Sequence, residues 1–534
     1  MSGLARPIRN DTRIVAILLA IILTCAAAIR LYHLNVDAPP LFGDELELYV
    51  SADSIVHKGV DVDGTLQPFV YSRLGRNPPV YAVAGYLSTL VFGNNPLGWR
   101  LPAALFGIAL VWLTFAMGKL ITRRDDIALI AAALAAIVPI EIHFSRIGWE
   151  PASMTPILMG GLYVLLRAID DARRTEAPLS VPRVMLAALL LALTTYTYPA
   201  GFFYAAVLTA TIVLANIGLL RRATNRAAAF AAFAVALAFA SPALLMLWTD
   251  SHTSSRMLYI ATFGAGITPA SLGVFFTNYA LHFGWPYLFA TGSPEARYLN
   301  GHGELYWWLA PLGVFGMLYL RRYVREPRML AFLIVWLLAY PLGGALTNDV
   351  PPTATRTLAG VPALLILCAI GLRALDGLAP LFKARSALFT RVLTAAMTVA
   401  ACVSLFSFLG YYYVVYPRTS ATAWESGNVG VFDFVRAQGS KYDRVCFMNF
   451  NYFHIDTLVR YYLPDVKFPV FKDMNEQQCS LPKTLLLSTS PLNHAGFTQI
   501  QAFPALDGST YAAAGVNTAQ PTPAPVPTGY ENLH

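Results

Sequence analysis

Long apolar runs separated by short polar loops set the pattern of this chain. The runs fall near 14–32, 98–120, 127–145, 152–167, 184–197, 202–220, 227–248, 306–320, 329–346, 358–375 and 392–413. Most have the length a helix needs to cross a hydrocarbon layer of about 30 Å. One further apolar stretch, 78–93, is shorter, opens on Pro78 and Pro79 and contains Gly85. After Tyr413 the pattern changes to shorter helical and strand-like periods.

The basic residues decide whether 78–93 crosses. Cationic loops stay on the cytoplasmic side of a polytopic protein. If 78–93 does not cross, Arg6, Arg9 and Arg13 share a side with Arg123, Arg124, Arg173, Arg174, Arg183, Arg221, Arg222, Arg226, the stretch 321–328, Arg373, Lys383, Arg385 and Arg391. If it crosses, every later cluster moves to the opposite side from the N-terminus. The first arrangement predicts about eleven spans, a cytoplasmic N-terminus and an outer C-terminus. Segment 78–93 then lies in the interface plane or re-enters shallowly. The basic N-terminus precedes an apolar run without a small-residue cleavage site, which reads as a retained first helix.

Composition agrees. Hydrophobic residues make up 56% and charged residues 13% of 534 residues, and the mean hydropathy is +0.53. That charge content is too low for a soluble chain of this length. The net charge of +8 is accounted for by the cationic loops, without a nucleic-acid partner.

The outer loops then hold a selected polar set. The first contains "LFGDELELYV" (41–50), with Asp44, Glu45 and Glu47 close together, and "YSRLGRNPP" (71–79) with Arg73 and Arg76. Others carry "HFSRIGWEP" (143–151), "TTYTYPAG" (194–201) and "TNDVPPTATRTLAG" (347–360). Carboxylates beside arginines at one membrane face point to an anionic ligand and a proton acceptor. Snorkelling and local ion pairs are the competing explanation for each arginine. Asp44 and Glu47 also have the spacing of a capping box, with Asp44 as N-cap and Glu47 as N3. Positions 44, 47, 51, 54 and 58 form one polar helix face, as on an interfacial helix. Tyr196, Tyr198, Trp307 and Trp308 fit an aromatic belt. Glu141 and His143 are ionisable candidates near the outer end of the third run. "DVDG" (61–64) and "HGE" (302–304) are weak metal motifs, and a lone Asp-x-Asp is most often a turn.

The first-loop Asp-Glu, "NPP" (77–79), "NNPLGWRLPAALFG" (94–107), "SR" (145–146), "ALTTYTYPAGFF" (192–203), "GHGELYWWLAPLGVFG" (301–316) and "TATRTLAGVPALL" (353–365) together resemble the GT-C glycosyltransferases. The nearest branches are glycosyltransferase family 39, the protein O-mannosyltransferase-like group, and the lipid A aminoarabinose transferases. The resemblance covers roughly residues 10–415. It implies a membrane all-α, GT-C type polytopic bundle with interfacial helices in the first outer loop. It also implies inverting transfer of a sugar from a polyprenyl monophosphate donor to a hydroxyl acceptor, at the outer face of a bacterial inner membrane. Asp44 matches the catalytic aspartate and would act as general base. Glu45 matches the second acid, and Glu150 falls near a further acidic position. Arg146 matches an arginine expected near the donor phosphate. Where the aminoarabinose branch carries a lysine, this chain has Tyr196 and Tyr198, which can donate to a phosphate oxygen. Phosphate is already a good leaving group, so cations rather than a general acid are needed. Arg356 and Arg76 are candidates for that role. No cofactor is required by this chemistry, and a divalent metal stays compatible with it. A lipid-linked glycan polymerase or ligase, or a lipid-linked glycan transporter, are the alternatives. A transporter should show paired repeats and mid-membrane ionisable groups, and none is evident.

Three parts follow. Residues 1–415 form the catalytic membrane domain, with the first outer loop at 33–97. Residues 416–515 form a small extracytoplasmic α/β domain. In it "VGVFDFVRAQG" and "HIDTLVRYYL" read as helices, and "DRVCFMNF" and "KTLLLST" as strands. The Pro/Thr-rich stretch 516–534 reads as a disordered tail. Cys25, Cys368 and Cys402 fall in spans. Cys446 and Cys479 share the outer domain, where oxidation is possible, and their pairing is left open.

Overall fold

The computed structural model describes residues 12–35, 40–72, 75–379, 385–450, 455–471, 479, 481–490 and 497–517. The chain divides into two compact units. One is Met1–Ala38 with Ser51–Tyr416, the other Pro39–Val50 with Pro417–His534.

The first unit is helical. It begins with α1 (Thr12–Leu31), and α2 (Gly43–Lys58) enters it at Ser51. A two-stranded hairpin, β1 (Val70–Ser72) and β2 (Gly75–Asn77), precedes α3 (Pro79–Phe92) and α4 (Pro96–Thr122). Then come α5 (Asp125–Ile137), α6 (Pro139–Phe144), α7 (Pro151–Thr175), α8 (Val181–Thr194), α9 (Pro199–Ala215), α10 (Ile217–Leu220) and α11 (Arg226–Thr249). After α12 (Ser251–Ile260) and α13 (Pro269–Leu281) follow α14 (Leu309–Tyr323), α15 (Pro327–Ala339), α16 (Leu342–Ala345), α17 (Val361–Asp376) and α18 (Ser386–Gly410). Every expected apolar run falls on helix, and seven helical segments are long and apolar enough to cross a membrane. The protein is a multi-pass membrane protein. Its outward faces carry apolar side chains that water would penalise and lipid would not. Examples are Leu87 and Val91 on α3, Phe230 and Phe233 on α11, and Val403 and Phe406 on α18, all exposed. Cys25 and Cys402 are exposed on such helices, and Cys368 is buried.

Three runs are broken rather than continuous, and the break at Pro139 shows why. Proline has no N–H, so a helix passing through it orphans the carbonyl four residues earlier. Here three carbonyls lose their helical donors and gain others. Arg30, fully buried, donates from Nη2 to Ala135 O and from Nη1 to Ala136 O, each at 3.0 Å. Tyr306 donates its hydroxyl to Ile137 O at 2.8 Å. The N–H of Ile140 goes instead to the carbonyl of Glu304 at 3.2 Å. These bonds stop α5 and redirect the chain into α6. Gly107 makes room for the contact, because a Cβ there would lie 2.3 Å from Ser145 Cβ and 2.8 Å from Arg30 Nε.

The second unit holds a five-stranded sheet in the order β4-β3-β5-β7-β6. Its strands are β3 (Arg444–Met448), β4 (Val470–Phe471), β5 (Thr484–Ser488), β6 (Phe497–Pro504) and β7 (Thr510–Asn517). β3 pairs in parallel with β4 and β5, and the β5–β7 and β6–β7 pairs are antiparallel. The short α19 (Tyr416–Thr419) precedes α20 (Asn428–Gln438) and α21 (Ile455–Tyr462). Phe432 of α20 stacks on Phe447 at 5.2 Å and on Tyr462 at 4.9 Å. A disulfide joins Cys446 to Cys479, with Cα atoms 5.9 Å apart, inside a cluster with Met448 and Leu486. Both expected helices and both expected strands are present, and β4, β6 and β7 are additional. Residues 516 and 517, expected as the start of the tail, complete β7, and the tail beyond them lies outside the described residues.

The segment Pro39–Val50, expected to belong to the membrane part, groups with this second unit. Phe42 meets Trp424 edge-on at 4.9 Å and Tyr49 meets Tyr461 at 5.2 Å. Aromatic contacts of this kind outlast sequence distance, which is why a segment more than 350 residues away joins the domain.

Candidate functional site

The stretch bearing the acids starts α2, and its capping differs from expectation. The helix begins at Gly43, so Phe42 takes the N-cap place and Asp44 lies within the first turn. Glu45 is the residue that reaches back, its Oε2 accepting the N–H of Phe42 at 3.3 Å. That is the N3 half of a capping box. The expected assignment of Asp44 as N-cap and Glu47 as N3 is therefore corrected by two residues, to Phe42 and Glu45. Glu45 and Glu47 are buried and Asp44 is half-buried. Negative charge in a first helical turn is favoured by the helix dipole. The expected polar face is also covered. Ser51 and Ser54 are buried and donate to the carbonyls of Tyr71 at 3.2 Å and Val60 at 3.0 Å.

Within the first unit, three expected site residues share one electrostatic neighbourhood: Glu150, Tyr198 and Arg356. Glu150 is buried and immediately precedes α7. The indole of Trp99 on α4 donates to Gly148 O at 2.8 Å, and Tyr81 of α3 donates to Trp99 O at 2.8 Å. This ties "GWEP" to the "NNPLGWRLP" segment. Trp149 stacks on Tyr298 at 6.0 Å.

Tyr198 precedes α9, and its hydroxyl donates to Thr355 Oγ1 at 3.2 Å. Burial, opposed by Arg356, raises its pKa, so the phenol stays a donor. Thr355 and Thr353 share a hydrogen bond at 3.2 Å. His282 fixes that loop. Its Nε2 accepts the Thr353 N–H at 3.1 Å, and its Nδ1 lies 2.7 Å from the Asn278 carbonyl. Only a neutral ring with the proton on Nδ1 satisfies both partners. Burial, with the Arg356 charge nearby, holds its pKa at about 4.

Arg356 donates from Nη2 to Asp349 Oδ2 at 2.6 Å and from Nη1 to Thr347 Oγ1 at 2.6 Å, and it makes a second bond to Asp349. Burial works against its charge, but the Asp349 carboxylate outweighs it and raises the pKa. Asp349 itself is 43% exposed, against 15% for Arg356, so the pair is open on the acid's side. Gly343 and Gly344 allow this packing. A Cβ at the first would lie 2.2 Å from Arg356 O, and at the second 2.2 Å from the His282 ring.

The remaining expected residues are placed elsewhere. Arg146 donates Nη1 to the carbonyls of Ile29, Arg30 and Tyr32 at 3.1, 2.9 and 2.8 Å, closing the C-terminal end of α1. Its guanidinium lies over Tyr412 and Tyr413 at 5.8 and 5.2 Å. Its Nε is buried without a hydrogen bond among the described residues. Arg76 pairs with Asp63 at 2.6 Å, within the "DVDG" turn. Asp63 is also bound by Thr65, and Gly64 has φ +78°, so that motif is a turn. Tyr196 packs on Phe69 at 5.6 Å, next to the hairpin carrying Arg76. Glu141 and His143 are buried on α6. Trp307 is exposed as a belt residue would be, but Trp308 is buried and donates to Ser404 at 3.0 Å. Arg73 lies outside the described residues. Among the described residues no group of three or more His, Cys, Asp or Glu could hold a metal ion.

Sequence reading missed Asp349, His282, Thr353 and Thr355. The signal for Asp349 was its place in the same polar loop as Arg356. Glu304, expected only as part of the weak metal motif "HGE", is a buried carboxylate whose Oε1 accepts the Ser293 N–H at 3.2 Å.

Comparison with known structures bears on the fold. The chain superposes on ArnT from Cupriavidus metallidurans bound to undecaprenyl phosphate with a TM-score of 0.52, covering 95% of this chain and 99% of that one at 13% identity. It has the fold of the GT-C glycosyltransferases. The GT-C likeness extends to the archaeal oligosaccharyltransferase AglB from Archaeoglobus fulgidus, in complex with an inhibitory peptide and a dolichol-phosphate. There the TM-score is 0.56 at 13% identity, over 90% of this chain and 70% of that one. The family described as dolichyl-phosphate-mannose-protein mannosyltransferase matches residues 76–248, which include Arg76, Arg146, Glu150, Tyr196 and Tyr198. No curated protein matches the sequence.

Proposed function

We propose that this protein is a glycosyltransferase that moves a sugar from a polyprenyl monophosphate to a hydroxyl acceptor, with inversion, at the extracytoplasmic face of a bacterial inner membrane. The observation that carries the reading is the GT-C fold over nearly the whole chain, shared with a structure bound to undecaprenyl phosphate. The clustering of Glu150, Tyr198 and Arg356 supports it.

In this reading Asp44 takes the acceptor hydroxyl proton as that oxygen bonds to the anomeric carbon. The bond from that carbon to the phosphate oxygen breaks, and the polyprenyl phosphate leaves with the electron pair. Capping falls to Glu45, which serves by fixing the start of the helix that carries Asp44. Arg356 exchanges part of its contact with the open Asp349 for a phosphate oxygen, and Tyr198 donates to another. The orphaned Nε of Arg146 supplies a further donor. Arg76 orders the first-loop hairpin, next to which Tyr196 packs, and both reach the donor from there. Glu150 balances the local positive charge while the phosphate is absent. No cofactor is needed for these steps.

The test is transfer by the purified full-length protein from polyprenyl monophosphate sugars, compared with diphosphate-linked glycans. Asp44→Asn should lower kcat about 10²–10⁴-fold, the usual contribution of a positioned base. Unchanged transfer in that variant rejects the mechanism. Activity confined to diphosphate-linked glycans assigns the protein to glycan polymerisation or ligation instead.

A further inference from the structure

A cavity opens at the other ends of the helices that carry the candidate site. It measures about 280 Å³ and lies among the C-terminal ends of α7 and α9 and the start of α15. Glu150 immediately precedes α7 and Tyr198 immediately precedes α9. At 1.5 Å per residue, Arg173 in the last turn of α7 is about 34 Å along the helix from Glu150.

Two guanidinium groups face the cavity, and each is anchored on one edge. Arg173 gives Nε and Nη2 to Asn216 Oδ1 at 3.1 and 2.9 Å. Asn216 is fixed in turn, since its Nδ2 donates to Ile212 O at 2.8 Å. Arg328 gives Nε to Ala215 O at 3.0 Å and Nη1 to Glu326 at 3.3 Å. Arg173 Nη1 and Arg328 Nη2 make no hydrogen bond among the described residues. Arg222 and Arg328 both lie within electrostatic reach of Arg173. The acids offset this charge only in part, Glu326 acting on both Arg173 and Arg328. Asp170 is held by Arg123 at 2.5 Å and Arg174 at 3.0 Å. Glu326 is divided between Arg328 and the Met329 N–H, which it caps at 3.1 Å. The rest of the lining is apolar, including Leu166, Ile169, Ile212 and Phe332.

We propose that this cavity binds the phosphate headgroup of an anionic lipid. Arginine forks match phosphate oxygens in geometry and charge, and the two unused Nη edges supply such donors. The apolar wall is suited to the start of an acyl chain, which free phosphate would leave uncovered. A ligand here ties together the ends of three helices that are otherwise bridged by only a few polar contacts. The proposal concerns binding and does not depend on the transfer reaction.

The experiment uses full-length protein in neutral phosphatidylcholine nanodiscs, titrated with phosphatidic acid or with inorganic phosphate. Binding is read by native mass spectrometry and by the shift in thermal unfolding. Saturable phosphatidic acid binding is expected, weakened at least about tenfold in Arg173→Gln/Arg328→Gln, the loss of roughly one charge-assisted contact. It should be retained in Arg173→Lys, which keeps the charge, and in Arg183→Gln, whose partner is Asp171. If the double variant does not fold, Arg173→Gln alone is compared with Arg173→Lys. Binding equal in the glutamine and lysine variants overturns the site. Inorganic phosphate binding as tightly as phosphatidic acid overturns the assignment to a lipid.

Discussion

Arg146 and Arg356 are both candidates for holding a donor phosphate, and the protein anchors them differently. Arg146 is tied to the main chain, with one nitrogen on three carbonyls at the end of α1 and two tyrosine rings beneath it. Arg356 is tied mainly to side chains, Thr347 and the half-open Asp349. A carbonyl that ends a helix cannot leave, so Arg146 is fixed. A partly solvated carboxylate can be displaced by another anion, so Arg356 is exchangeable. The same residue type is thus anchored to main chain in one place and to a partly solvated side chain in the other.

Several substitutions test that contrast. The largest effect is expected from Arg146→Leu, which removes the donor to three carbonyls. Losing the charged member of a buried set costs about 3–5 kcal/mol, visible as a large drop in the unfolding temperature in detergent. Little change in stability would place Arg146 with the exchangeable group. Next comes Arg30→Met, which leaves Ala135 O and Ala136 O without donors at the Pro139 break. A cost of about 2–4 kcal/mol is expected from two lost charge-assisted bonds, measured the same way.

Arg356→Gln should separate the two functions. Its stability cost should stay near 1 kcal/mol, since Asp349 can turn to solvent, while KM for the lipid-phosphate donor rises about 10–100-fold. A stability loss like that of Arg146→Leu, with KM unchanged, would falsify the exchangeable assignment. Tyr198→Phe should raise the same KM several-fold, on the order of one neutral hydrogen bond.

The smallest effect concerns Glu304. Burial raises its pKa well above the ordinary carboxylate range, opposed weakly by the Ser293 N–H. Its contribution to stability is therefore complete below the unfolded-state value and is lost as pH rises through the raised one. Glu304→Gln should flatten the pH dependence of the unfolding temperature on the alkaline side, with little change in acid. An unaltered slope would show that the carboxyl is already ionised.

The helices were legible because a membrane leaves little choice of pattern, and each apolar run lies on helix, whole or broken. The interruption at Pro139 was visible as a proline, but the residue that makes it tolerable, Arg30, lies over a hundred positions earlier. The Arg356 partner was in view as Asp349, yet nothing in the spacing of that loop separates it from any other loop acid. The capping register failed because Asp-x-x-Glu and the Phe-x-x-Glu actually used differ only in the side chain at the N-cap. The strands β6 and β7 were not legible for a compositional reason. "FTQIQAFP" and "TYAAAGVN" are rich in Gln, Ala, Thr and Gly, and β7 buries small residues against its neighbours rather than the branched ones that mark strands.

The discontinuity of the second unit sets a schedule for biosynthesis. Residues 39–50 leave the ribosome early, but Trp424 and Tyr461, which pack on Phe42 and Tyr49, emerge 382 and 412 residues after them. At about 5–20 residues per second, the first-loop acids wait on the order of 20–80 s for their partners. Until then Phe42 and Tyr49 lack these two aromatic partners. A chain released short of its last domain would carry every span while Phe42 and Tyr49 still lacked Trp424 and Tyr461, so the packing of this early segment waits on the end of synthesis.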